Sequence, residues 1–214
     1  MHEPKHPASA RVAQLCLPLH ADEPCGDAAA VFERDGAPGD ALLVLIDGLG
    51  HGPQAAHAAQ CALAAVAART ALPLPQLMIE LDMALRETRG AAVGLMRVQA
   101  TPQGRSLAFA GMGNTRALRW RGPHLHRLPS QYGVVGGGFA QPVAVQVLDL
   151  EPGDWLLMFS DGLDERMELP APLPEWQRDP ALLCAHLARQ WRLGADDIGV
   201  LACHWPLDAG CASR

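Results

Sequence analysis

Residues 42–46 read Leu-Leu-Val-Leu-Ile, and they run straight into Asp47-Gly48-Leu49-Gly50-His51-Gly52-Pro53. An unbroken apolar run this short, bounded by glycine, is a strand covered on both faces. The alanine-rich stretch 54–69 that follows has strong helix formers, with Pro53 suited to a first helical turn. Asp47 therefore stands where a buried strand ends and the backbone opens. An unpaired carboxylate is costly there. Two readings fit: a helix cap, or a ligand for a cation with help from the Gly48 carbonyl. The remainder of the chain has to decide between them.

The same pattern recurs. Residues 155–159, Trp-Leu-Leu-Met-Phe, end on Ser160-Asp161-Gly162. Asp196-Asp197 opens a final apolar strand, 198–204, and Cys25-Gly26-Asp27 opens a strand over 27–34. Residues 35–40 are dense in turn formers and predict a hairpin into strand 41–46. That hairpin sets Asp27 and Asp47 at the same end of two antiparallel neighbours. Further strands are expected at 11–19, 91–98, 106–110, 116–120 and 143–150. Helices are expected at 54–69, 76–87 and 179–192, the last capped by Asp179 and closed by Gly194. Residues 122–130 read as a polar loop and 133–138, with four glycines, as a mobile or tightly turned one.

Asp27, Asp47, Asp161 and Asp196 all adjoin apolar strands. Gathered at one end of a sandwich, they would repel one another unless a cation neutralised them. Oxygen donors without a His/Cys cluster favour Mg²⁺ or Mn²⁺ over Zn²⁺. A pair of such ions would bind phosphoryl oxygens and activate a water for in-line attack.

Composition narrows the alternatives. The chain carries 17 basic against 23 acidic residues, net −6, and its only lysine is Lys5. A nucleic-acid or anionic-membrane surface is disfavoured. The six cysteines form no C-x-x-C pair and read as buried thiols. No signal peptide or membrane span is evident, so a soluble, cytoplasmic protein is expected. The 214 residues, 49% apolar, suffice for a single domain, expected over 11–205 with tails at 1–10 and 206–214.

Four segments, Asp47-Gly-Leu-Gly-His-Gly, Gly111-Met-Gly-Asn-Thr-Arg, Ser160-Asp-Gly-Leu and Asp196-Asp-Ile, occur in an order that resembles the metal-dependent protein phosphatases of type 2C. The chain is most similar to the bacterial SpoIIE-type branch and its short, RsbX-like members. The resemblance implies an α+β fold, a four-layer αββα sandwich of two antiparallel sheets between helices. It implies two Mn²⁺ or Mg²⁺ ions and hydrolysis of phosphoserine or phosphothreonine on a protein. In this branch the substrate would be a partner-switching regulator, an anti-sigma antagonist or a stressosome-type scaffold. By the same resemblance Asp47 and Asp161 carry catalysis, and Asp27, Asp47, Gly48, Asp161 and Asp196 hold metal, Asp47 bridging. His51 and Asp197 are secondary candidates. His51 is read first as part of the glycine turn, and Asp197 as the partner that is not a ligand. Asn114 stands where many relatives have an aspartate for a third metal. Gly199 replaces a common Thr or Ser. Arg11 and Arg34 qualify as phosphate contacts only by being basic, and Arg89 is read as a solvated helix-end residue. Two alternatives stay open: an inactive binding module of the same fold, and a phosphatase of small molecules.

Overall fold

The computed structural model describes residues 11–34, 36–37, 39–138, 142–169 and 179–205. The expected tails at 1–10 and 206–214, Cys211 and most of the Pro-rich segment after Glu165 lie outside the described residues.

Among the described residues, ten strands form two antiparallel sheets. The first contains β1 (Arg11–Leu17), β10 (Ile198–His204), β9 (Trp155–Phe159), β6 (Arg116–Arg121) and β7 (His124–Leu128), in that order. The second contains β2 (Asp27–Glu33), β3 (Ala41–Gly48), β4 (Ala91–Thr101), β5 (Gly104–Met112) and β8 (Gln146–Leu150). Helices α1 (Pro53–Ala67) and α2 (Leu74–Leu85) cover the second sheet, and α3 (Pro180–Gln190) covers the first.

Side-chain alternation along the strands builds three apolar layers. On β3, Leu42, Val44 and Ile46 face α1 and α2, while Leu43 and Leu45 face the other sheet. On β9, Leu157 and Phe159 face α3, while Leu156 and Met158 face inward between the sheets. On β10, Val200 and Ala202 pack outward and Leu201 and Cys203 inward. This is the expected αββα sandwich. Trp120 and Trp155 are both buried, with ring centroids 6.1 Å apart.

Several boundaries differ from expectation. β3 runs to Gly48, so Asp47 lies inside the strand ladder and not beyond it. α2 begins at Leu74, with a proline accepted in its first turn, where no intrahelical N–H is lost. The expected loop 122–130 contains β7, joined to β6 by a two-residue turn at Gly122-Pro123. β7 is an edge strand with only Leu128 buried, so it lacks the apolar alternation that marks a strand. The glycine segment 133–138 is tied down. Val135 bridges to Ala91, and the buried Asp82 carboxylate accepts N–H bonds from Gly136 and Gly138 at 2.8 and 3.0 Å.

Candidate metal centre

The alternation that builds the inter-sheet layer also decides what stands at its end. Asp47 continues the inward row Leu43–Leu45, and Asp27 continues the inward row Val31–Ala29. Ser160 follows Leu156 and Met158, and Gly199 precedes Leu201 on the same inward side. Two carboxylates, a hydroxyl and a glycine thus close one end of the sandwich.

β2 and β3 pair in a register that sets Asp27 directly opposite Asp47. Both are 6% exposed. Ser160 Oγ donates to Asp27 Oδ2 at 2.6 Å and accepts the Gly199 N–H at 2.8 Å. A Cβ on Gly199 would stand 3.1 Å from Asp27 Oδ2 and 2.9 Å from Leu45 Cδ1. Glycine at 199 therefore makes room for the Asp27 carboxylate. Asp47 Oδ2, in contrast, is buried with no hydrogen-bond partner among the described residues.

The other two acids enter from loops. Asp161 follows β9 and accepts a bond from the Asn114 side-chain amide, which comes from the turn after β5. Asp196 precedes β10 and is partly buried. Electrostatic repulsion couples the group. Burial pushes the Asp47 carboxyl up to about 9, with further increments from Asp27, Asp161 and Asp196. Burial pushes Asp27 up to about 7; the Ser160 hydroxyl opposes this, and Asp197, Asp196 and Asp161 add to it. Burial also raises Asp196, with Asp161 adding to it and the nearby His51 working against it. Asp27 and Asp47 are thus cross-strand neighbours, and Asp161 and Asp196 stand within electrostatic reach of both.

Backbone at this face is packed without slack. A Cβ on Gly48 would lie 2.3 Å from the Ala55 carbonyl in the first turn of α1, and one on Gly162 would lie 1.9 Å from the Asp197 carbonyl. No other residue fits either place without moving main chain.

Asp197 serves differently from its neighbour. It is 2% exposed and accepts N–H bonds from Leu19 at 2.5 Å and Gly26 at 2.6 Å. It fastens the β1–β2 connector, residues 18–26, under the entry to Asp27. His51 is exposed in the turn after β3, its Nδ1 3.1 Å from Glu23 Oε2. Arg11 and Arg34 stand at the far ends of β1 and β2, roughly 20 Å of strand from the acids. Neither reaches the site. Arg89 does come near: its Nη1 is 3.1 Å from where a Cβ on Gly50 would stand.

A cleft of about 380 Å³ opens beside the acids, bordered by Leu49, Asn114, Arg116 and Tyr132, whose ring is fully exposed. Another cavity, of about 220 Å³, lies at the opposite end of β3 beside Asp40 and Arg97. Arg97 there is committed to the Leu72 and Thr70 carbonyls at 2.7 and 2.6 Å.

Sequence reasoning missed Ser160, although its place two residues beyond Met158 fixes its face. It also missed the Asn114–Asp161 bond, which joins loops from different sheets and leaves no local signal.

The donor set fits hard divalent cations. Clustered carboxylates, one of them with a buried unpartnered oxygen, match what Mg²⁺ or Mn²⁺ coordinates. This sandwich, acids at one end, is the fold of PP2C-type phosphatases. The family model described as Stage II sporulation protein E (SpoIIE) matches residues 37–205, and the chain belongs to that family. No curated protein sequence matches it. Among solved structures, one chain comes from work on the bacterial stressosome as a modular system adapted to control secondary messenger signaling. It aligns at TM-score 0.80 and 24% identity, covering 92% of this chain and 100% of that one. RsbX in complex with magnesium aligns at 0.72 and 16%, covering 94% and 96%. The catalytic domain of the serine/threonine protein phosphatase PstP, in complex with two manganese ions, aligns at 0.61 and 19%, covering 91% and 97%. No helix among the described residues is long and apolar enough to cross a membrane.

Proposed function

We propose that the protein is a Mn²⁺- or Mg²⁺-dependent phosphatase that removes phosphate from serine or threonine of a bacterial regulatory protein. The observation that supports this reading is Asp47 Oδ2, buried with no hydrogen-bond partner among the described residues and within electrostatic reach of Asp27, Asp161 and Asp196. Asp47, Asp161 and Asp196, with the Gly48 carbonyl and Asp27, would hold two cations. Bound there, the cations supply positive charge for phosphoryl oxygens and acidify a water. The chain's own residues do the rest. Ser160 fixes one oxygen of Asp27, and Asn114 orients Asp161. Arg89, whose Nη1 lies beside the Gly50 turn, would supply a positive charge for an anionic phosphate.

A protein substrate is favoured by the shape beside the acids. The cleft at Leu49, Asn114 and Tyr132 is open and bordered by an exposed aromatic ring, which suits an extended segment better than a small ester. Likeness to RsbX and to a stressosome-associated chain supports a partner-switching regulator as the substrate class. Retention of every proposed ligand weighs against a purely binding role. The test is a matrix of phosphoserine peptide and chromogenic phosphate ester against Mn²⁺, Mg²⁺ and chelator. Cation-dependent release from the peptide is the expected result. Turnover that survives exhaustive chelation removes the reading.

A further inference from the structure

Two histidines and a glutamate meet beside the acidic face without belonging to it. His20 and Glu23 lie in the β1–β2 connector, in a turn closed by the Glu23 N–H bonded to the His20 carbonyl at 3.1 Å. His51 comes from the glycine turn after β3. One ligand-type atom from each of the three lies within 4.8 Å of the others. His51 Nδ1 and Glu23 Oε2 are 3.1 Å apart, and the His20 and His51 rings meet edge to face at 5.6 Å.

We propose that His20, Glu23 and His51 form a separate site for a borderline transition-metal ion of the Zn²⁺ class. The donor set is the first argument. Two imidazoles and one carboxylate suit Zn²⁺, whereas the aspartate centre offers oxygen alone. Spacing is the second. Two ligands about 2.0–2.1 Å from a tetrahedral ion stand roughly 3.3 Å apart, close to the His51–Glu23 separation. The wider gap closes by rotation of His20, which is exposed. The third argument is the platform. Asp197 holds Leu19 N–H and Gly26 N–H, so the connector is pinned on both sides of His20 and Glu23. Gly52, at φ 76°, lets the Glu23 carboxylate approach: a Cβ there would stand 3.0 Å from Glu23 Oε2. A plain ion pair between His51 and Glu23 would explain two of the three residues and leave His20 without a part. With two exposed histidines, the fourth position faces solvent, open to water or an incoming ligand. A cation here would clasp the connector leading to Asp27 against the turn leaving Asp47.

The experiment is a Co²⁺ titration of the metal-stripped full chain in excess Mg²⁺, which keeps hard-cation sites filled. The expected result is one equivalent of Co²⁺ with the intense visible absorption of a low-coordinate, nitrogen-ligated ion, displaced by Zn²⁺. Binding should weaken at least about tenfold in His20→Ala and in His51→Ala, and persist in Asp161→Asn. Glu23→Gln, which keeps the shape of the side chain, should weaken it as well. Far-ultraviolet dichroism of each metal-free variant should match the parent, making the loss one of a ligand. Unchanged affinity in the histidine variants overturns the site. So does a sulfur-to-cobalt band that vanishes in Cys25→Ser, or displacement of the Co²⁺ by Mg²⁺.

Discussion

Asp27 and Asp47 are directly opposed across neighbouring antiparallel strands, each almost wholly buried. Like charges in that arrangement destabilise a sheet. The two are not equivalent. Asp27 has the Ser160 hydroxyl to stabilise its charge; Asp47 Oδ2 has no hydrogen-bond partner among the described residues. Without a cation, the proton therefore resides preferentially on Asp47.

The pH dependence of stability follows from this pair. Both carboxyls are raised above their unfolded values, Asp27 to about 7 and Asp47 to about 9. Their contribution is whole below the unfolded carboxylate pKa of about 4. It declines as pH rises through the folded values, because folding then forces buried charge or retained protons. In chelator, the thermal midpoint should fall between pH 5 and pH 9. Saturating Mn²⁺ should flatten that slope. A midpoint in chelator that is independent of pH would show that the carboxylates are not held as described.

Asp161→Asn should lower turnover more than about a hundredfold, since even outer partners of metal ligands are worth 10–100-fold. The substitution is nearly isosteric and removes one of several mutually repelling charges, so the metal-free midpoint should hold or rise. Asp47→Asn should cost still more metal affinity. As a contrast, Asp154→Asn should leave turnover near the parent's. Asp154 is fully buried but sits before β9, beside Arg119 and Arg121, at the far end of the strand. Near-normal rates in Asp161→Asn would favour the binding-module alternative.

The Asp196-Asp197 dipeptide should split cleanly. Asp197→Ala strands two backbone donors and should cost about 1–3 kcal/mol of stability, read as a lower urea midpoint. Asp196→Ala should leave the midpoint near the parent's while weakening Mn²⁺ binding by calorimetry. The reverse pattern would exchange the two assignments.

Gly199→Ala tests the space around Asp27. The added methyl meets Leu45 and the Asp27 carboxylate at about contact-violating range. Overpacking of this kind costs about 1–3 kcal/mol. Mn²⁺ affinity should fall with it, because Asp27 is what moves. Unchanged affinity and stability together would mean the end of the inter-sheet layer is softer than its packing suggests.

Much of this was legible in the chain. The runs 155–159 and 198–204 announced β9 and β10 to the residue, because continuous apolar stretches bounded by Asp and Gly leave little freedom. The hairpin signal at 35–40 placed Asp27 and Asp47 together, and the structure sets them opposite one another. What escaped was non-local or unpatterned. β7 is too polar to show a strand period. Ser160 acts through a partner 133 residues away. His51 meets Glu23 across 28 residues of chain, which no local spacing encodes.

The pairing of β1 with β10 has a consequence for synthesis on the ribosome. β10 fills the slot between β1 and β9, and of the ten strands among the described residues it is made last. Until it emerges, β1 and β9 each present an unpaired edge, and the connector lacks its Asp197 anchor. A nascent chain therefore carries Asp27 and Asp47 on a finished hairpin long before the opposite sheet can cover them. Such late, long-range pairing is slow and leaves apolar surface open meanwhile. Newly made chains should accordingly depend on chaperones until His204 has cleared the exit tunnel.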